Sequence, residues 1–179
     1  MSRLKEKFEK EVLPKLKDEF GIENNFAVPR IKKVVLNTGI GRITKDSALV
    51  EGIFNDMERI AGQRPVYTQA RKSIASFKVR EGMNIGIKVT LRGKRMYDFI
   101  DRLISLSLPR TRDFKGIDPK CIDQAGNMTI GIREQIVFPE VNQETARGIF
   151  GLEITIVLNN YDKEVAKRLY KLLGFPLKA

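Results

Sequence analysis

A chain of 179 residues with 42% hydrophobic side chains is long enough to bury a core, and no apolar run in it reaches the ~20 residues needed to span a bilayer. Lys and Arg number 33 against 22 acids, a net charge of +11 and a pI near 9.8, so the expected partner is a polyanion, with nucleic acid the commonest. Histidine is absent and Cys121 stands alone, which excludes a Ser-His or Cys-His nucleophile, an internal disulfide and the usual zinc sites.

The charged start, Met1 to Lys7, has no signal-peptide pattern, and the lone thiol suits a reducing compartment, so a cytoplasmic protein is expected. Leu4, Phe8, Val12, Leu16 and Phe20 recur every fourth residue and predict a helix, with Pro14 a candidate kink and Gly21 a stop. Ile31 to Asn37 is short and β-branched, so it reads as a strand, with Gly39 and Gly41 just after it. Leu49, Ile53, Met57 and Ile60 return to helical spacing and end at Gly62. A weaker strand follows from Arg64 to Gln69. Ile85, Ile87, Val89 and Leu91 then alternate with Gly86, Lys88, Thr90 and Arg92, the clearest strand in the chain. A helix is predicted after Gly93, stopping before Pro109. Met128 to Ile132 and Leu152 to Leu158 read as further strands, and Asp162 is placed to cap a last helix closed by Gly174.

The core order is strand, helix, strand, strand, helix, strand, with an extra helix at each end. That order predicts an α+β fold of the split β-α-β, ferredoxin-like kind. An antiparallel sheet would be covered by helices on one face and left open on the other. A single RNA-binding domain over residues 1–179 is expected, with residues 109–151 a long insertion rich in Gly, Pro and Asp. Connections of that length usually carry function.

On an open sheet face the residues that alternate with the apolar ones become the binding surface. Lys88, Thr90 and Arg92 face away from Ile87, Val89 and Leu91, and Lys33, Asn37 and Gln63 are candidates from neighbouring segments. Cations beside hydroxyl and amide donors on a rigid strand suit phosphate contacts, although a merely solvated face would alternate in the same way. The connection Ala70 to Gly82 joins two strands and should project as a hairpin. Arg71, Lys72, Lys78 and Arg80 outweigh Glu81 there, Ser73 adds a hydroxyl, and Phe77 sits among the cations. That mixture suits backbone-plus-stacking contact with RNA; the alternative is an idle basic loop with Phe77 tucked into the core. Gly39 and Gly41 begin a dinucleotide-binding turn, but Thr44 stands where its third glycine belongs. The strand Ile85–Arg92 presents no aromatic, so a structured RNA backbone is the expected ligand instead of unpaired bases. No cofactor, metal or catalytic residue is expected. An RNA-acting enzyme and a basic protein-interaction module are the competing classes.

Longer motifs carry a resemblance. Val28 to Gly41, Thr68 to Ala75, Gly86 to Gly93, Gly126 to Ile132 and Gln135 to Glu140 resemble, in order, signatures of the bacterial large-subunit ribosomal protein family five, over essentially the whole chain. The resemblance implies a structural protein of the central protuberance. It would bind 5S ribosomal RNA through the open sheet face, at Asn37, Gln63, Thr90 and Arg92. Its hairpin, here Ala70 to Gly82, would reach peptidyl-site transfer RNA. The insertion, from about Arg110 to Gln143, would face a small-subunit head protein. Contacts with 23S ribosomal RNA and other 5S-associated proteins are implied as well, and no membrane.

Overall fold

The four-residue rhythm at the N-terminus winds into a helix in a computed structural model that describes residues 2–44, 46–142, 148–159 and 162–178. The helix has three parts: α1 (Arg3–Lys7), a π-helical turn (Phe8–Val12) and α2 (Leu13–Phe20). Leu4, Phe8, Val12 and Leu16 are buried, while Phe20 is exposed. Pro14 explains the wide turn. Its nitrogen has no proton to donate and its ring crowds the carbonyl four residues back, so the turn before it opens instead of breaking. Gly21, in the left-handed conformation, ends α2.

Five strands follow: β1 (Ile31–Gly39), β2 (Val66–Gln69), β3 (Asn84–Leu91), β4 (Met128–Ile132) and β5 (Leu152–Leu158). They form one open antiparallel sheet in the order β2-β3-β1-β5-β4. With α3 (Ser47–Ala61) after β1 and α4 (Gly93–Arg102) after β3, the first four strands in that order are the expected split β-α-β arrangement. The long segment after α4 adds β4 beyond β5. β2 begins at Val66, not at Arg64, because Pro65 has no N–H for the ladder.

By proximity the chain divides into two compact units. One comprises Met1–Val34, Leu91–Ile130 and Thr155–Ala179. Within it α1 packs against α4, and α2 against α6 (Lys163–Leu173). Asp162 precedes α6 in extended backbone, but its carboxylate takes no capping hydrogen bond. The helix expected to stop before Pro109 runs past it, through a second π-helical turn (Leu103–Ser107) into α5 (Leu108–Arg110). As at Pro14, the wide turn ends two residues before the proline and removes the clash that would have stopped the helix.

The other unit comprises Val35–Thr90 and Gly131–Ile154. Its core gathers Ile53, Met57 and Ile60 of α3 with Leu36, Ile87, Val89 and Ile154 of the strands, all buried. The Asp46 carboxylate accepts the Leu49 N–H at 3.0 Å and starts α3. Gln135 is buried among apolar groups: its amide donates to the Gly148 carbonyl and accepts the Phe150 N–H. Those bonds tie the residues just after β4 to those just before β5.

Candidate nucleic-acid interface

β3 keeps the alternation its sequence sets. Ile87, Val89 and Leu91 are buried, Lys88 is exposed and Thr90 is half-buried. On β1, Val34, Leu36 and Thr38 are buried while Lys33, Val35 and Asn37 are half-buried. Side chains two apart share a face, so Lys88 and Thr90 lie together on the open side of β3, and Lys33 and Asn37 on that of β1. Arg92, one residue past β3, is exposed. Lys33 and Arg92 belong to the first unit, and Asn37, Gln63, Lys88 and Thr90 to the second.

Two polar contacts on this face bear on binding. The Asn37 amide donates to a Glu153 carboxylate oxygen at 3.4 Å. Glu153 therefore puts an anion on the cationic side of the sheet, a role the sequence reading did not give it although its place in β5 was legible. Gln63, just past the end of α3, donates to the Thr90 carbonyl at 3.3 Å. That bond ties the α3–β2 connection to β3.

Gly86 lets the Thr68 side chain lie close against β3. It sits opposite Thr68 in the β2–β3 register, and a Cβ built there would lie 2.5 Å from Thr68 Oγ1 and 3.2 Å from the Thr38 carbonyl oxygen. No side chain fits, because the Thr68 side chain fills the space over the buried backbone of Gly86. The sequence shows a glycine in a strand, a hint of close approach, without naming what approaches.

The connection from β2 to β3 does project as a hairpin. The Ala70 N–H donates to the Met83 carbonyl, and Ile74 and Val79 exchange both backbone hydrogen bonds. A tight turn over Ala75–Phe77 ends at Lys78, whose φ is +54°. Ser73 Oγ accepts the Glu81 N–H at 2.9 Å, so this hydroxyl braces the hairpin. Arg71, Lys72, Lys78 and Arg80 are exposed. Phe77 is 74% exposed, which removes the reading that tucks it into the core.

A groove of about 1350 Å³ runs along this hairpin from its base to its turn, in the second unit. Beyond hairpin residues it is lined by Gly39, Gly41, Arg42, Ile149 and Phe150. Sequence reading named none of these as a site. Arg42 was visible only as one basic residue after a glycine turn, and Ile149 only as part of the long segment.

An open antiparallel face carrying cations, a hydroxyl and amides, with a basic hairpin beside it, offers the groups that contact with a polyanion's backbone requires. Comparison with known proteins narrows that class. Residues 24–80 match the family model described as "Ribosomal protein L5", and residues 84–177 match the model of the C-terminus of the same ribosomal family. The chain is 51% identical over 176 residues to the large ribosomal subunit protein uL5 of Halothermothrix orenii, covering 98% of each chain. It is 52% identical over 177 residues to the uL5 of Acidobacterium capsulatum, covering 99% of this chain and 97% of the relative. To the uL5 of a Psychrobacter species it is 50% identical over 178 residues, 99% of this chain and all of the relative. The chain belongs to the ribosomal protein L5 family. It is a ribosomal protein of the cytoplasm, a structural component and not an enzyme.

Proposed function

We propose that the protein is a constituent of the large ribosomal subunit and holds 5S ribosomal RNA in the central protuberance through the open face of its sheet. Its relatives are named as large-subunit proteins. The observation that carries the face assignment is the strict alternation on β3: buried Ile87, Val89 and Leu91 against outward Lys88 and Thr90. Lys33, Lys88 and Arg92 supply charge to the phosphates, and Thr90 and Asn37 supply donors. The hairpin's Arg71, Lys72, Lys78 and Arg80 reach peptidyl-site transfer RNA, with Phe77 at its tip and Ser73 as its brace. The segment from about residue 110 to 143 faces a protein of the small-subunit head, and 23S ribosomal RNA and other 5S-associated proteins complete the neighbourhood.

A gel shift with purified 5S RNA, against an unrelated structured RNA of the same length, tests the reading. Arg92→Ala should weaken 5S binding by roughly 1–3 kcal/mol, the usual cost of losing a charged hydrogen-bond partner, and leave the thermal melt unchanged. Equal affinity for both RNAs, or an unchanged Arg92→Ala affinity, rejects it.

A further inference from the structure

The groove along the hairpin has a composition unlike that of the sheet face. Its apolar surface is contributed by Ile74, Phe77, Val79, Ile149 and Phe150. Three of these, at 46% for Ile74, 74% for Phe77 and 66% for Ile149, are among the large hydrophobic side chains most open to water. Its charged lining among the described residues is wholly cationic: Arg42 from the β1–α3 connection, and Arg71, Lys72 and Lys78 from the hairpin. At about 1350 Å³ it exceeds the ~300–1,000 Å³ of a typical small-molecule pocket, so a stretch of chain fits it better than one small ligand.

A chain that satisfies this groove must alternate apolar and anionic parts at short intervals. A helix lying in a groove needs a continuous apolar strip. Here cations interrupt the apolar side chains, as in the run Arg71-Lys72, Ile74, Phe77-Lys78, Val79. Unpaired nucleotides have the matching pattern, since each carries one phosphate and one flat apolar face.

We infer that this groove binds unpaired nucleotides of RNA, with Phe77 stacking on a base, Ile149 and Phe150 walling the apolar side, and Arg42, Arg71 and Lys72 taking the phosphates. This rests on the reading of the hairpin as an RNA contact and is independent of the sheet-face assignment. It extends the expected stacking at the hairpin to a defined groove, while β3 itself presents no aromatic.

The test uses the full chain and two fluorescein-labelled probes, an unstructured hexaribonucleotide and a fully paired RNA duplex of equal charge, read by anisotropy. Phe77→Ala should weaken the single strand about tenfold, within the range for one lost base stack, and the duplex hardly at all. Phe77→Tyr should restore it and Phe77→Leu should not, while the salt dependence stays that of the unaltered protein. Circular dichroism melts check that each variant folds; the exposure of Phe77 predicts that they do. Equal losses for both probes, or full binding by Phe77→Leu, would overturn the inference, and the latter would point to a protein segment in an apolar groove. If Arg71→Ala with Lys72→Ala also leaves both probes bound, the hairpin reading beneath it fails as well. If only the Phe77 variants fail to respond, the stacking groove alone is wrong. Intact 5S RNA titrated on the same preparations keeps the sheet-face reading separately accountable.

Discussion

Two residues show how single atoms set this structure's tolerances. Gly86 has no Cβ because Thr68 Oγ1 and the Thr38 carbonyl already occupy that space. Gly86→Ala should cost about 1–3 kcal/mol, as overpacking does. Thr68→Ala in the same chain should recover part of that loss, because it removes the oxygen 2.5 Å away. Urea unfolding of the two single variants and the double one measures the coupling, and strict additivity would show that Thr68 is not the obstacle. Tyr170 is the opposite case, a polar atom satisfied deep inside. Its ring is fully buried and meets Phe175 edge-on, and its hydroxyl donates to the Gly126 carbonyl at 2.9 Å. Burial, with a further push from the charge of Asp123, raises the phenol well above its ordinary pKa, so it remains a donor at any physiological pH. Tyr170→Phe leaves the buried Gly126 carbonyl without that partner and should cost about 1–2 kcal/mol by chemical denaturation. A loss below a few tenths would mean that water replaces the bond.

At the scale of elements, periodicity and caps carried most of the information. The alternation on β3 and β5, the stripe on α3 and the glycine stops after α2, α3 and α6 were all legible, because each is a local consequence of side-chain spacing or of left-handed backbone. The two prolines were not. Spacing alone reads Pro109 as a helix end, whereas a π-helical turn absorbs it and buries Leu103, Ser107 and Leu108. A sequence states where a hydrogen bond is missing, but the packing around it decides whether the helix breaks or widens. Asp56 on α3 is a similar surprise, an acid on the buried side of an amphipathic helix. Burial raises its pKa, and Arg59, 3.9 Å away, offsets this only in part. With the folded-state pKa raised, the folded protein holds this proton at pH values where the unfolded chain has lost it. Stability therefore falls as pH climbs from the ordinary carboxylate range through the raised value. Asp56→Asn should raise the melting temperature at pH 7 and lose that advantage near pH 3. Thermal melts across the range check this, and an equal gain at both ends would assign the effect to something other than ionisation.

At the scale of the whole molecule, the net charge of +11 is a total that hides its own distribution. The sheet face and the hairpin were both found in the sequence, since alternation and clustered cations are local signals. The groove was not, because it joins the β1–α3 connection, the hairpin and residues 149–151, which only folding brings together. Glu153 was missed for a related reason: its pairing with Asn37 crosses 116 positions of sequence. β3 itself separates the surfaces that the total combines. Its N-terminal end receives the hairpin at Asn84, and Lys88 lies four residues further on, about 13 Å along an extended strand. Contacts that far apart, with no shared partner, contribute nearly independently, and each phosphate they neutralise adds about 0.7–0.9 to the slope of log affinity against log salt. Neutralising Arg71, Lys72, Lys78 and Arg80 together should therefore leave both the 5S affinity and its salt slope close to those of the unaltered protein. The same variant, assembled into ribosomes, should retain peptidyl-site transfer RNA less well, and its remaining retention should depend less on salt. Lys88→Ala with Arg92→Ala should do the reverse. Filter binding at several salt concentrations, with 5S RNA and with transfer RNA on reconstituted ribosomes, reads both slopes for both variants. Should the hairpin variant lose 5S binding as fully as the sheet variant, the two surfaces form one continuous footprint, and the division of labour along β3 is wrong.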